Sequence, residues 1–335
     1  MKRSIVAGFA VALLVAAACG GNGDSNAEAS TNSGGRNATL VLNWTPNTHH
    51  IGVYAAQQLG WYRDAGIDLH IIEPTADGAE KAVGTGAAQF GVSMAEGVLP
   101  ARASGIPIVS IGTILPVNDS ALMSLAGEGI TTPAAMEGKT YGGYSGPLET
   151  ELINRLAECG GIDPASVKHT DVGNVDYLAG LEANRFDVVW IFAGWDALRA
   201  SDVEHKDVNL IRFDDQFDCI PNWYTPLFIT NEKLIQSDPA FVRKFMDVTA
   251  RGYQLAIDDP QRAADLMLKA VPEMDEALLR ASADYYATRF VANGEPFGTQ
   301  DQATWSTFER FLVDAGLLEK SVDVDAAYTN DFLPK

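Results

Sequence analysis

Five short segments concentrate side chains able to hold a small molecule. In WTPNTHH, one residue past the apolar run Thr39–Leu42, stand Trp44, Asn47, His49 and His50. A flat aromatic, an amide and an imidazole, with no lysine or arginine, suit a flat, polar, nitrogen-rich ligand better than a phosphate or sulfonate. The run Asp187–Phe192 leads to Ala193, Gly194, Trp195 and Asp196. A carboxylate just past a strand accepts hydrogen bonds from an exocyclic amine or protonated ring nitrogen. Equally, Trp195 is core and Asp196 caps a helix beginning near Ala197. YGGYSGPLE (residues 141–149) is a glycine-rich strand-to-helix turn in which Gly143 and Ser145 allow close ligand approach. Pro147 fits the first helical turn, and the free N–H groups at that helix start suit an anion or carbonyl oxygen, although a plain turn explains the sequence as well. Ser93 and Glu96 end a strand and begin a helix, where simple capping competes with ligand contact. Trp223 and Tyr224 precede the run Thr225–Thr230 and offer two rings to a hinge.

No catalytic constellation accompanies them. His49 and His50 are adjacent, without the i, i+4 spacing of a helical metal pair. There is no GxSxG, no Walker lysine in the glycine-rich turn, and no CxxC. These residues call for neither a metal nor a cofactor.

The elements that must position these side chains alternate. Strands are expected over Thr39–Leu42, Ile67–Ile72, Phe90–Val92, Ile108–Ile114, Ala121–Ser124, Lys139–Gly142, Val167–Asp171, Val188–Phe192, Leu210–Phe213 and Thr225–Thr230. Helical periodicity lies between them, at Pro147–Cys159 and Val175–Ala183, and dominates past Asn231. This is an α/β pattern, and it places the WTPNTHH loop at a strand's carboxyl end, where open α/β sheets hold ligands. The expected anatomy is a first lobe from residues 38–116 and 225–335 and a second from 117–224, with two chain crossings and a cleft.

Residues 1–18 read as an export signal: Lys2 and Arg3, an apolar run too short for a permanent span, then Ala-Ala-Ala before Cys19. Cys19 is the expected lipidation site, the alternative being an ordinary secretory signal with an incidental cysteine, and 19–37, rich in Gly, Asn and Ser, a flexible tether. The formal charge is −20. Loss of Lys2 and Arg3 with the signal makes it −22, which argues against nucleic acid or anionic lipid surfaces as partners. Cys159 and Cys219 are the other cysteines; export permits a disulfide, but two cysteines do not make a framework.

LNWTPNTHHIGVYAAQQLGWYRDAGIDLHI, GKTYGGYSGPLE, FDVVWIFAGWDALRA, YTPLFIT and YTNDFLP together resemble the thiamine-pyrimidine receptors of the SsuA/THI5-like (NMT1) family. The resemblance implies a type II periplasmic-binding-protein fold, a pyrimidine precursor of thiamine as ligand, and a monomeric lipoprotein serving an ABC permease at the outer face of the membrane. It puts Trp44, Asn47 and His50 on the first-strand loop, Gly143 and Ser145 on the glycine-rich turn, and Trp195 and Asp196 on the third turn. Trp223 and Tyr224 fall where fungal relatives, which are pyrimidine synthases, carry a run of cysteines; this chain has only Cys219. Those synthases use a lysine-held pyridoxal phosphate, a sacrificial histidine and iron. Asn43 and Ala193 depart from the family pattern, which leaves a flavin as an alternative ligand. A sulfonate, the other alternative, calls for a cation in the cleft, and none is expected on the ligand face of these segments.

Overall fold

The computed structural model describes residues 35–74, 78–173, 175–292 and 294–335. The export signal, Cys19 and nearly all of the expected tether lie outside the described residues. Among the described residues, ten strands form two five-stranded sheets. They are β1 Arg36–Val41, β2 Ile67–Ile72, β3 Phe90–Ser93, β4 Ile108–Thr113, β5 Ser120–Leu125, β6 Thr140–Gly143, β7 Lys168–Asp171, β8 Val188–Phe192, β9 Val208–Arg212 and β10 Leu227–Asn231. Each falls on an expected run, β2 and β8 with the same ends and the other eight with shifted ends. The largest shift is in β1, which begins inside the expected tether because Arg36 and Asn37 pair in parallel register with Ile67 and Asp68.

The first sheet has the order β2-β1-β3-β10-β4 and the second β7-β6-β8-β5-β9. The chain leaves the first sheet after β4 and returns with β10. The first strand after each crossing, β5 or β10, runs antiparallel to both its neighbours. The remaining pairs are parallel, so β1, β3, β6 and β8 present carboxyl ends as ligand-holding edges.

After β10 the chain is helical: Glu232–Ser237, Pro239–Asp258, Pro260–Ala270, Glu276–Ala287 and Gln302–Asp314. Asp238, Asp259, Asp275 and Asp301 cap the last four through their side chains, and Pro239 and Pro260 occupy first-turn positions where no N–H is needed. Helix Ile51–Gln58 lies against Pro239–Asp258 so closely that a Cβ on Gly252 would sit 2.0 Å from the Gly52 carbonyl oxygen. This close seat fixes the helix that follows the WTPNTHH loop. The Tyr253 hydroxyl also donates to the His49 carbonyl. In the second lobe Cys159 and Cys219 form a disulfide, Cα–Cα 5.9 Å, tying helix Pro147–Cys159 to the crossing that leads to β10.

Candidate functional site

The loops after β1, β6 and β8 meet at a cavity of about 360 Å³, within the range of small-molecule sites. Residues 43–49 and Tyr286 form one wall; Tyr144, Val175, Asp176, Tyr177, Phe192, Trp195, Asp196 and Arg199 form the other.

Asn47 organises the first wall. Its Oδ1 accepts from the His49 N–H at 3.0 Å and its Nδ2 donates to the Thr45 carbonyl at 3.1 Å, folding Thr48–His50 into a tight turn. The two histidines then diverge. His50 is fully buried, its Nδ1 accepting from the Asn47 N–H at 3.3 Å. That leaves the ring proton on Nε2, which donates to Asn43 Oδ1 at 2.9 Å. Burial, reinforced by His49, lowers the His50 pKa to about 3. The expectation that His50 contacts ligand is therefore corrected: both nitrogens are occupied, and the ring orients Asn43. His49 lines the cavity instead, edge-on to Phe192 at 5.3 Å and Tyr286 at 4.8 Å. Burial, opposed by the Asp119 charge, lowers its pKa to about 4, so the imidazole is neutral.

The second wall is built on a π-helical turn, Ala193–Ala197, at the end of β8. Trp195 and Asp196 both line the cavity. Asp196 reaches back within its turn, its Oδ2 accepting from the Phe192 N–H at 3.3 Å. Burial raises its pKa to about 6, with the Phe192 N–H and Arg199 opposing. Arg199 also lines the cavity, correcting the expectation of no cation there; its i, i+3 spacing from Asp196 was the available signal. Its charge is balanced by Asp176 at 2.5 Å and Glu204 at 2.7 Å. The Tyr144 and Tyr177 hydroxyls are 3.0 Å apart at the same wall.

Asp119, in the first crossing, ties the two walls together. Its Oδ2 accepts from the Gly194 N–H at 2.7 Å and the Tyr286 hydroxyl at 2.8 Å. Its Oδ1 accepts from the Tyr285 hydroxyl at 2.5 Å and from Arg212 at 3.2 Å. Ser282 donates to the Gly194 carbonyl at 2.5 Å. A Cβ at Gly194 would lie 2.4 Å from the Tyr286 ring, so only glycine fits this approach.

Six other expected contacts lie away from the cavity wall. Gly143 makes room for Glu149, whose Oε1 a Cβ would meet at 2.1 Å. Glu149 Oε2 accepts from the N–H groups of Tyr144 and Gly146, at 2.9 and 3.3 Å, so that turn does not offer them to an anion. Ser145 has φ +56° and turns the chain, while its neighbour Tyr144 lines the cavity. Ser93 donates to Glu80, and Glu96 is half-buried, desolvation of its carboxyl raising the pKa to about 8. The second crossing covers both: Ala95 N–H bonds the Tyr224 carbonyl at 2.9 Å. Trp223 is core, stacked on Phe308 at 5.1 Å, and the Tyr224 hydroxyl donates to Asp301 at 2.8 Å. Both rings pack beneath the first lobe because the crossing passes against helix Gln302–Asp314.

Two α/β lobes joined by two crossings, with a cavity at the strand ends between them, define the periplasmic-binding-protein fold. The chain belongs to the family described as NMT1/THI5 like, which matches residues 47–263. It is 30% identical to a 4-amino-5-hydroxymethyl-2-methylpyrimidine phosphate synthase of Legionella pneumophila, over 88% of this chain and 92% of that one. It is 24% identical to the formylaminopyrimidine-binding protein of Halalkalibacterium halodurans, over 98% and 99%. The structure superposes on the periplasmic aliphatic sulphonate-binding protein SsuA of Escherichia coli with a TM-score of 0.67 at 14% identity, covering 87% and 91%. Among the described residues no helix is long and apolar enough to cross a membrane, and no group of three or more His, Cys, Asp or Glu is placed to hold a metal.

Proposed function

We propose that the protein is an extracytoplasmic, lipid-anchored receptor that closes its lobes on an aminopyrimidine precursor of thiamine and passes it to an ABC permease. The carrying observation is the cavity wall: Trp44 and Trp195 offer aromatic faces, and Asp196 offers a carboxylate to an amine. The wall carries two carboxylates, Asp176 and Asp196, against the single guanidinium of Arg199, a balance that disfavours a sulfonate. A synthase reading has less support. Pyridoxal phosphate is held through a lysine Schiff base, and the lining residues include no lysine. The residues present therefore do not fit that group, and no catalytic step follows from it.

Small molecules released from the denatured purified protein should include an aminopyrimidine by mass spectrometry, and the protein should be colourless. A released flavin or sulfonate, or an absorbance band of bound pyridoxal phosphate, would overturn the assignment.

The disulfide supports export, because such bonds persist in oxidising compartments. Anchoring rests on Cys19, whose diacylation would give stable attachment where one chain gives only marginal binding. Cys19→Ser should move the protein from the membrane fraction to the soluble exported fraction. Retention in the membrane would remove the lipid anchor from this picture.

A further inference from the structure

Arg199 supplies the guanidinium of the cavity wall, and most of its donors are unspent. Asp176 at 2.5 Å and Glu204 at 2.7 Å both meet it through a single nitrogen, Nη2. Nε and Nη1 bond to no described residue, and neither is among the buried polar atoms that lack a partner, so both keep accessible surface. The side chain is 38% exposed and lines the cavity. A guanidinium carries N–H donors on all three nitrogens in a fixed fork, so those on Nε and Nη1 are open to a bound molecule.

Neighbouring groups hold the fork in place. Asp176 caps the helix Tyr177–Glu182, its Oδ1 accepting from the Ala179 N–H at 3.0 Å, while its Oδ2 accepts from Arg199. Asp196 stands three residues before Arg199, a spacing that makes the two side chains neighbours on a helical turn. Burial raises the Asp196 pKa and the Arg199 charge opposes it. The second wall therefore sets a carboxylate acceptor beside a cationic donor. Because Asp176 and Glu204 already balance the guanidinium, its open donors suit a neutral oxygen better than an anion.

We propose that Arg199 is a specificity-determining residue, donating from Nε or Nη1 to a neutral oxygen on the C5 substituent of the ligand while Asp196 accepts from the C4 amine beside it. This rests on the aminopyrimidine reading and extends it from the ring to its substituent. A 4-amino-5-hydroxymethylpyrimidine carries a donor and an acceptor on adjacent ring carbons, the complement of the Asp196–Arg199 pair. Its phosphate ester would bring roughly two negative charges to a wall where Asp176, Asp196 and Glu204 already outnumber the one guanidinium. The site thus takes the free alcohol and rejects the ester.

Calorimetry with three probes tests this: 4-amino-5-hydroxymethyl-2-methylpyrimidine, its analogue with methyl in place of hydroxymethyl, and its phosphate ester. The unaltered protein should bind the alcohol roughly 10- to 100-fold more tightly than the methyl analogue, the range for a hydrogen bond to a charged group. It should bind the ester at least about tenfold more weakly than the alcohol, because like charges are brought together. Arg199→Met keeps the side-chain stem and removes the donors, and a thermal melt checks that it folds. Its preference for the alcohol over the methyl analogue should disappear; taking the ratio cancels any effect of the substitution on Asp196. If that variant does not fold, Arg199→Lys, with one donor nitrogen in place of three, should keep only part of the preference. A full preference in the folded variant, no preference on the unaltered protein, or an ester bound as tightly as the alcohol would overturn the role of Arg199 and leave the aminopyrimidine reading standing. Failure of the unaltered protein to bind either the alcohol or the methyl analogue would overturn both.

Discussion

Asp119→Ala is expected to cost about 3–5 kcal/mol of folding stability, the range for removing one partner from a buried charged network. Asp119 is 3% exposed and satisfies the Gly194 N–H, two tyrosine hydroxyls and part of the Arg212 guanidinium. Alanine would leave the Gly194 N–H and the two tyrosine hydroxyls without this acceptor, while Arg212 keeps its two bonds to Asp214, both at 2.9 Å. Asp119→Asn keeps the volume and one carbonyl oxygen, but its amide group would point donors at donors, so an intermediate loss is expected. Denaturant unfolding should show lower midpoints at unchanged slope, with alanine below asparagine. Ligand binding should weaken as well, because Gly194 lies in the turn carrying Trp195 and Asp196, and Tyr286 lines the opposite wall. A shift below about 1 kcal/mol, the ordinary effect of a substitution, would show that Arg212, Asp214 and Ser282 hold the walls without Asp119.

That Asp119 escapes a reading of the sequence has a physical reason. The strands are legible because each is a short apolar or β-branched run between turn residues, and all ten expected runs became strands. The WTPNTHH loop and the turn after β8 are legible for the same reason, as both follow strands whose carboxyl ends must face a crevice. Side-chain direction within those loops is another matter. His49 and His50 share composition and position, and only the Asn47-capped turn sends one ring to the cavity and the other to Asn43. Trp223 and Tyr224 have aromatic chemistry suited to a ligand, but the crossing runs beneath the first lobe and buries them against Phe308 and Trp305. Asp119 and Tyr286 are 167 residues apart, and no local pattern announces a hydrogen bond between them. Periodicity reveals elements; long-range pairing decides which polar groups are already satisfied.

Asp196 carries the other large effect, and it is readable as a pH dependence. Its carboxyl titrates near 6 in the unliganded protein because burial outweighs the Phe192 N–H and Arg199. A ligand amine donates to the ionised form, so binding below pH 6 must first expel a proton. Affinity should be level above that pH and fall as the pH drops below it, by up to about tenfold per unit. Folding stability should move the other way. The native pKa lies above the ordinary 3.8, so between those values the native state holds more protons than the unfolded chain. Through this group, stability therefore falls as the pH rises across that window. Asp196→Asn should remove both pH limbs, which separates them from titration of the ligand itself. At pH 7.5 Asp196→Ala should lose on the order of 1.5–3 kcal/mol of binding, the worth of a hydrogen bond to a charged group, with asparagine losing less. Calorimetry across pH 4.5–8 on the three proteins decides the matter. If the affinity limb persists in Asp196→Asn, the proton belongs elsewhere and Asp196 only caps the end of β8.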